Sequence, residues 1–139
     1  MVPLTSNADP TFRGRSTDAR RVLIVEDDFA TRQTLAGVLM DEGFEVVSAA
    51  DGREAITILA ERRTRPELII LDLWMPSMDG LKFRSIQQSQ ARWSDIPVLI
   101  ITASRFPRRE LELLGLTHIF RKPLDLVALL AKIDELTAH

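Results

Sequence analysis

The sequence predicts a doubly wound α/β fold on a parallel sheet, and three observations predict it. Runs such as Val22-Leu23-Ile24-Val25, Leu68-Ile69-Ile70-Leu71 and Val98-Leu99-Ile100-Ile101 are apolar without alternation, as strands buried on both faces should be. From Arg20 onward these runs alternate with helical periodicity over short connections, the pattern of crossover units. Several strand-like runs also end in charged or hydroxyl residues, at the edge where an open α/β sheet carries its chemistry.

Each element has its own signals. The first strand is Arg21 to Val25. In the helix after it Leu35, Val38 and Leu39 form an apolar stripe, and Gly43 following Asp41-Glu42 is a stop signal. Glu45 to Ala49 is the second strand. Asp51 can cap the second helix, with Glu54 three residues on completing a capping box, and Ala55, Ile56, Leu59 and Ala60 are expected to face inward. Pro66 closes the loop before the third strand. The third helix, expected from about Leu81 to Gln90, has the weakest amphipathic pattern. After the fourth strand, Pro107 followed by Arg108 to Leu114 leaves room for a short helix only. Ile119 to Arg121 is the fifth strand. The last helix carries Leu126, Leu129, Leu130 and Ile133 at i, i+3, i+4 and i+7. Residues 1–19, with Pro3, Pro10, Gly14 and small polar residues, read as an N-terminal tail, and residues 20–139 as one domain.

Composition narrows the function classes. With 139 residues the chain holds one domain, and 45% hydrophobic with 27% charged residues is ordinary globular content. No apolar stretch approaches the ~20 residues that cross a bilayer, and there is no signal-peptide core, so a cytoplasmic, non-membrane protein is expected. The absence of cysteine excludes disulfides and thiolate chemistry. A net charge of −2 gives no pull toward nucleic acid. The clusters Arg62-Arg63-Arg65 and Arg105-Arg108-Arg109 read as solvated surface, and His118 and His139 as incidental.

Four strand ends converge on one reaction. Asp72 ends the third strand and precedes Leu73-Trp74-Met75-Pro76-Ser77-Met78-Asp79-Gly80, whose Pro76 and Asp79-Gly80 are turn and helix-start signals. The first strand runs into Glu26-Asp27-Asp28, the fourth into Thr102-Ala103, and the fifth into Lys122-Pro123. An acid pair, an acid, a hydroxyl and a lysine in that order suit phosphoryl acceptance. Clustered carboxylates raise one another's pKa unless a cation joins them, and Mg²⁺, a hard ion preferring oxygen ligands, answers that need.

On these motifs the chain from Arg20 onward resembles the receiver domain of two-component response regulators, in its stand-alone, chemotaxis-regulator-like form. The resemblance implies a flavodoxin-like five-stranded parallel sheet of order 2-1-3-4-5 with five helices, which sets Asp27 and Asp72 across a shallow cleft. It implies that Asp72 is the phosphoacceptor. Mg²⁺ would be bound by Asp27 directly, Glu26 through water, Asp72, and the backbone carbonyl of Trp74. Lys122 and Thr102 would contact phosphoryl oxygens, and Pro123 would start the last helix. The donor would be a sensor histidine kinase or histidine phosphotransfer protein. Catalysis would be limited to the chain's own phosphotransfer and slow autodephosphorylation, so it is not an enzyme in the usual sense. A monomer or weak homodimer is expected, without nucleic acid. No output domain is expected after Ala138-His139, and the signal is expected to leave by contact with an unknown downstream protein.

Three features depart from the family pattern. The acid pair is Glu26-Asp27 rather than two aspartates. Ile119 stands where the family usually has Tyr or Phe, and Phe120, one residue on, should point to the opposite face. The stretch from Thr102 to Lys122 is shorter than usual. The alternative reading is a phosphorylation-independent interaction module with a receiver fold, against which Asp27, Asp72, Thr102 and Lys122 argue. A phosphatase with an aspartyl-phosphate intermediate would need a second acid two residues after Asp72, where Trp74 stands.

Overall fold

The computed structural model describes residues 20–61, 65–75, 78–103 and 108–138. The expectations for the 1–19 tail and for Arg62, Arg63, Pro76, Ser77, Arg105, Pro107 and His139 lie outside the described residues. Five strands, β1 (Arg21–Val25), β2 (Glu45–Ala49), β3 (Leu68–Asp72), β4 (Val98–Thr102) and β5 (His118–Arg121), alternate with α1 (Phe29–Asp41), α2 (Gly52–Ala60), α3 (Gly80–Gln88), α4 (Arg108–Leu113) and α5 (Leu126–Thr137). The sheet is parallel throughout, in the order β2-β1-β3-β4-β5, as expected. Register sets Val25 beside Leu71, Asp72 beside Ile101 and Thr102 beside Arg121, so the C-terminal ends of β1, β3, β4 and β5 share one edge.

Pleating divides each central strand between two cores. Leu23, Val25, Ile69, Leu71 and Ile100 pack with Ala55 and Leu59 of α2, Phe83 of α3 and Leu111 of α4. Val22, Ile24, Ile70, Leu99 and Ile101 pack with Leu35 and Leu39 of α1 and with Leu129 and Ile133 of α5. Each fully buried Leu or Ile is worth about 1.5–3 kcal/mol relative to exposure, so the unbroken apolar runs fix β1, β3 and β4 at the centre. Ile119 packs on the first layer and Phe120 on the second, the opposite facing that alternation requires.

Caps match the sequence signals with adjustments. Asp28, Asp51, Asp79 and Asp125 accept from the backbone N–H of Thr31, Glu54, Lys82 and Ala128, starting α1, α2, α3 and α5. Pro123 therefore does not start the last helix: an aspartate that accepts an orphan N–H is the stronger signal, and Pro123 stays in the turn. Glu54 reaches back to the N–H of Ala50 at 2.6 Å, one residue before the cap. Ala60, at the last turn of α2, is exposed rather than inward. Gly43 ends α1 with φ +93°. α3 runs from Gly80 to Gln88, shorter than the expected Leu81–Gln90.

The inward face of α3 explains its faint pattern, because Phe83 shares it with Arg84 and Gln87. Arg84 Nε donates to the carbonyl of Leu114 at 3.0 Å and Arg84 Nη1 to Gln87 Oε1 at 2.7 Å. Gln87 Nε2 donates to the carbonyls of Trp93 at 2.8 Å and Ile96 at 3.1 Å. This buried polar cluster ties α3 to the end of α4 and to the connection before β4. α1 and, narrowly, α5 are less amphipathic, contrary to the expectation that α3 would be the weakest.

Candidate functional site

Glu26, Asp27 and Asp72 each place a carboxylate oxygen so that the three lie within 4.8 Å of one another. Glu26 is fully buried, Asp72 is 4% exposed, and Asp27 is exposed at the rim. The topology produces this: β1 and β3 are neighbours, and their last residues meet at the switch point of the sheet. Lys122 arrives from β5, its N–H donating to the carbonyl of Thr102 at 2.8 Å. Its Nζ lies 2.7 Å from Glu26 Oε1 and 3.8 Å from Asp72 Oδ2. Thr102 ends β4, fully buried, on the strand beside β3. Trp74, two residues after Asp72, directs its N–H at Asp72 Oδ1 across 3.4 Å and leaves its side chain 42% exposed. The fold thus brings Glu26, Asp27, Asp72 and Lys122 together, with Thr102 and Trp74 on the adjoining backbone. His118 joins no cluster of metal-ligand type among the described residues.

The electrostatics follow from this crowding. Burial pushes the Asp72 carboxyl up to about 7, and the charge of Glu26 adds to the rise. Lys122 opposes it, while shared hydrogen bonding with Glu26 and Asp27 favours the proton. Burial works against the Lys122 ammonium, but the Glu26 hydrogen bond and the charges of Asp72, Glu26 and Asp27 outweigh it and hold its pKa above the usual value. One cation faces three carboxylates. An all-oxygen, net-negative donor set of this kind fits a hard divalent ion.

Two roles that sequence reasoning missed lie beside the site. Arg32 of α1 reaches back so that Nη1 donates to the carbonyl of Glu26 at 2.7 Å and approaches that of Asp27 at 3.3 Å, bracing the acid pair from beneath. An arginine one helical turn into α1 was its only signal. Asp28 caps α1, accepting from Thr31 N at 2.8 Å and Thr31 Oγ1 at 2.7 Å. The hydroxyl and backbone hydrogen bonds from Thr31 hold its pKa below the ordinary carboxylate value.

Comparison with known proteins agrees with the geometry. The family model of the response regulator receiver domain matches residues 22–134. The response regulator MprA of Mycolicibacterium vanbaalenii is 40% identical over 83 residues, 60% of this chain and 34% of that protein. MprA of Mycobacterium leprae is 36% identical over 118 residues, 84% of this chain and 50% of its own. The chain therefore spans about a third to a half of these relatives' length. The chemotaxis protein CheY4 of Vibrio cholerae superposes with a TM-score of 0.78 at 32% identity, covering 85% of this chain and 98% of that one. A signal receiver domain of a histidine kinase from Syntrophus aciditrophicus does so with 0.78 at 32%, covering 86% and 91%. The chain belongs to the response regulator receiver domain family, and with it to the phosphoacceptors of two-component signalling.

Proposed function

We propose that Asp72 accepts a phosphoryl group from the phosphohistidine of a sensor histidine kinase or histidine phosphotransfer protein. The observation that carries this is the meeting of Asp72 with Glu26 and Asp27 within 4.8 Å, next to Lys122. An Asp72 carboxylate oxygen attacks phosphorus, the P–O bond forming as the P–N bond breaks, and the donor nitrogen leaves with the bonding pair and is protonated. Mg²⁺, held by Asp27, Asp72 and the Trp74 carbonyl and through water by Glu26, would offset the charge of the carboxylates and phosphoryl oxygens. Lys122 then contributes a point charge. Its ammonium rests on Glu26 Oε1 at 2.7 Å and is already 3.8 Å from Asp72 Oδ2, so a phosphoryl group on Asp72 offers it a second acceptor nearby. Thr102 supplies a hydroxyl donor from the neighbouring strand, and Arg32 keeps the acid pair fixed while charge builds.

In this reading residues 20–139 form the receiver unit, residues 1–19 are a tail, the chain works in the cytoplasm, and the phosphorylated form signals through contact with another protein. The described helices include none long and apolar enough to cross a membrane. Incubation with phosphoramidate or acetyl phosphate, followed by intact-mass measurement, tests the proposal. One phosphoryl group should be gained with Mg²⁺ present and none in its absence. No gain despite bound Mg²⁺ would refute it.

A further inference from the structure

We propose that Gly80 is a positioning residue for the Asp72 site: its missing side chain lets the first turn of α3 seat directly on the backbone of Asp72 and Leu73. That seating holds the Leu73–Met75 segment, which carries the Trp74 carbonyl, in place for cation binding. The inference rests on the reading of the site given above.

The contact is made by backbone on both sides. Gly80 N–H donates to the carbonyl of Leu73 at 2.7 Å. A Cβ on Gly80 would lie 2.9 Å from Leu73 Cα and 3.0 Å from the carbonyl oxygens of both Asp72 and Leu73. No rotamer can relieve a clash with main-chain atoms. Positive φ among the described glycines belongs to Gly43 and Gly115, so Gly80 is required for space and not for conformation. The other helical glycines differ. A Cβ on Gly52 would press on the flexible Met78 side chain, and one on Gly37 would meet nothing within 4 Å.

Which side of the contact would yield is set by the sheet. Asp72 is paired with Ile101 on β4, Leu71 with Val25 on β1, and Leu73 N–H donates to the carbonyl of Ile101 at 3.1 Å. β3 is therefore anchored on both flanks up to Leu73. An added methyl group would displace the start of α3 and the Leu73–Met75 segment it rests on, and would leave the Asp72 carboxylate near Lys122. The consequence is a split between binding and chemistry: the cation site loosens, whereas the nucleophile keeps its place.

Gly80→Ala and Gly37→Ala test this in the full chain, with Mg²⁺ affinity read from tryptophan fluorescence and phosphorylation by phosphoramidate read by mass. Gly80→Ala should raise the Mg²⁺ Kd about tenfold or more, with the maximal rate at saturating Mg²⁺ within about threefold of wild type. Gly37→Ala should change neither. A folded Gly80→Ala protein with a Kd within about twofold of wild type, or with a lowered maximal rate at unchanged Kd, overturns the inference. Should Gly80→Ala not fold, hydrogen exchange of the Gly80 amide in wild type decides the matter. It should slow with Mg²⁺ along the fluorescence titration, because contact and cation stabilise each other reciprocally, and an unchanged exchange rate overturns the proposal. Wild-type protein that binds no Mg²⁺ would overturn the underlying reading of the site instead.

Discussion

Among the described residues charge is buried at two places, and the two are balanced in opposite ways. Around Asp72, three carboxylates face one ammonium, and burial with the Glu26 charge raises the Asp72 pKa to about 7. Around Arg84, 8% exposed, the guanidinium donates to the Leu114 carbonyl and to Gln87 Oε1, and Gln87 passes its own donors to the carbonyls of Trp93 and Ile96. Burial lowers the Arg84 pKa, yet these acceptors keep the cation in place. The second cluster is matched and fixes structure. The first carries excess negative charge, which is a state open to a cation that would in turn offset the charge of a phosphoryl group. A buried polar group that is fully bonded argues for architecture, and one left unbalanced argues for function.

Breaking the matched cluster should have the largest effect on stability. Arg84→Met keeps the length of the side chain but strands Gln87 Oε1 and leaves the Leu114 carbonyl with Gln88 Nε2 alone as side-chain donor, and should cost about 1–3 kcal/mol in urea unfolding. The folded protein should still accept phosphoryl. A loss below about 0.5 kcal/mol would mean that the cluster is not structural.

The unbalanced cluster should make stability depend on pH. Asp72 has a folded-state pKa of about 7 against 3.8 for the unconstrained group, so between these values the folded state binds more protons than the unfolded. Stability in EDTA should therefore fall as pH rises from about 4 to 7. Asp72→Asn should remove most of that slope. Because Mg²⁺ competes with the same proton, it should raise Tm more at pH 8 than at pH 5. A wild-type slope of the opposite sign, or one that Asp72→Asn leaves intact, would contradict the charge balance described here.

Much of this was legible in the sequence, for identifiable reasons. β1, β3 and β4 were plain because their Val, Leu and Ile runs are buried on both faces. Glu26 and Asp72 were plain because they directly follow or end such a run, Asp27 comes one residue later, and Lys122 follows the half-buried strand His118–Arg121. Arg84 and Gln87 were not, since polar residues on an inward helix face blur the periodicity, and their acceptors at Leu114, Trp93 and Ile96 come from other segments. Asp79-Gly80 read only as a helix start, because the distance from Gly80 to the Leu73 backbone is a tertiary fact. The start of α5 was misplaced because Pro123 and Asp125 are both start signals, and only the hydrogen bond to Ala128 N–H decides between them.

The smallest expected effect is on the lifetime of the phosphorylated form. Trp74 stands two residues after Asp72 and is partly exposed; we infer that its indole hinders a water approaching in line with the phosphoryl bond. Trp74→Asn should speed decay severalfold, up to about one order of magnitude, or about 1.4 kcal/mol of barrier. An unchanged decay rate would remove Trp74 from control of the lifetime.

If the unbalanced cluster serves phosphorylation of Asp72, the phosphoryl group must be found on that carboxylate. An aspartyl phosphate is an acyl phosphate, and borohydride reduces it to homoserine, which marks the residue permanently. Wild-type protein treated with phosphoramidate and Mg²⁺, reduced, digested and analysed by peptide mass spectrometry should carry homoserine at position 72, and the sample prepared with EDTA should not. Homoserine at position 27 or elsewhere, or none at position 72 in a sample whose intact mass had gained a phosphoryl group, would contradict the account.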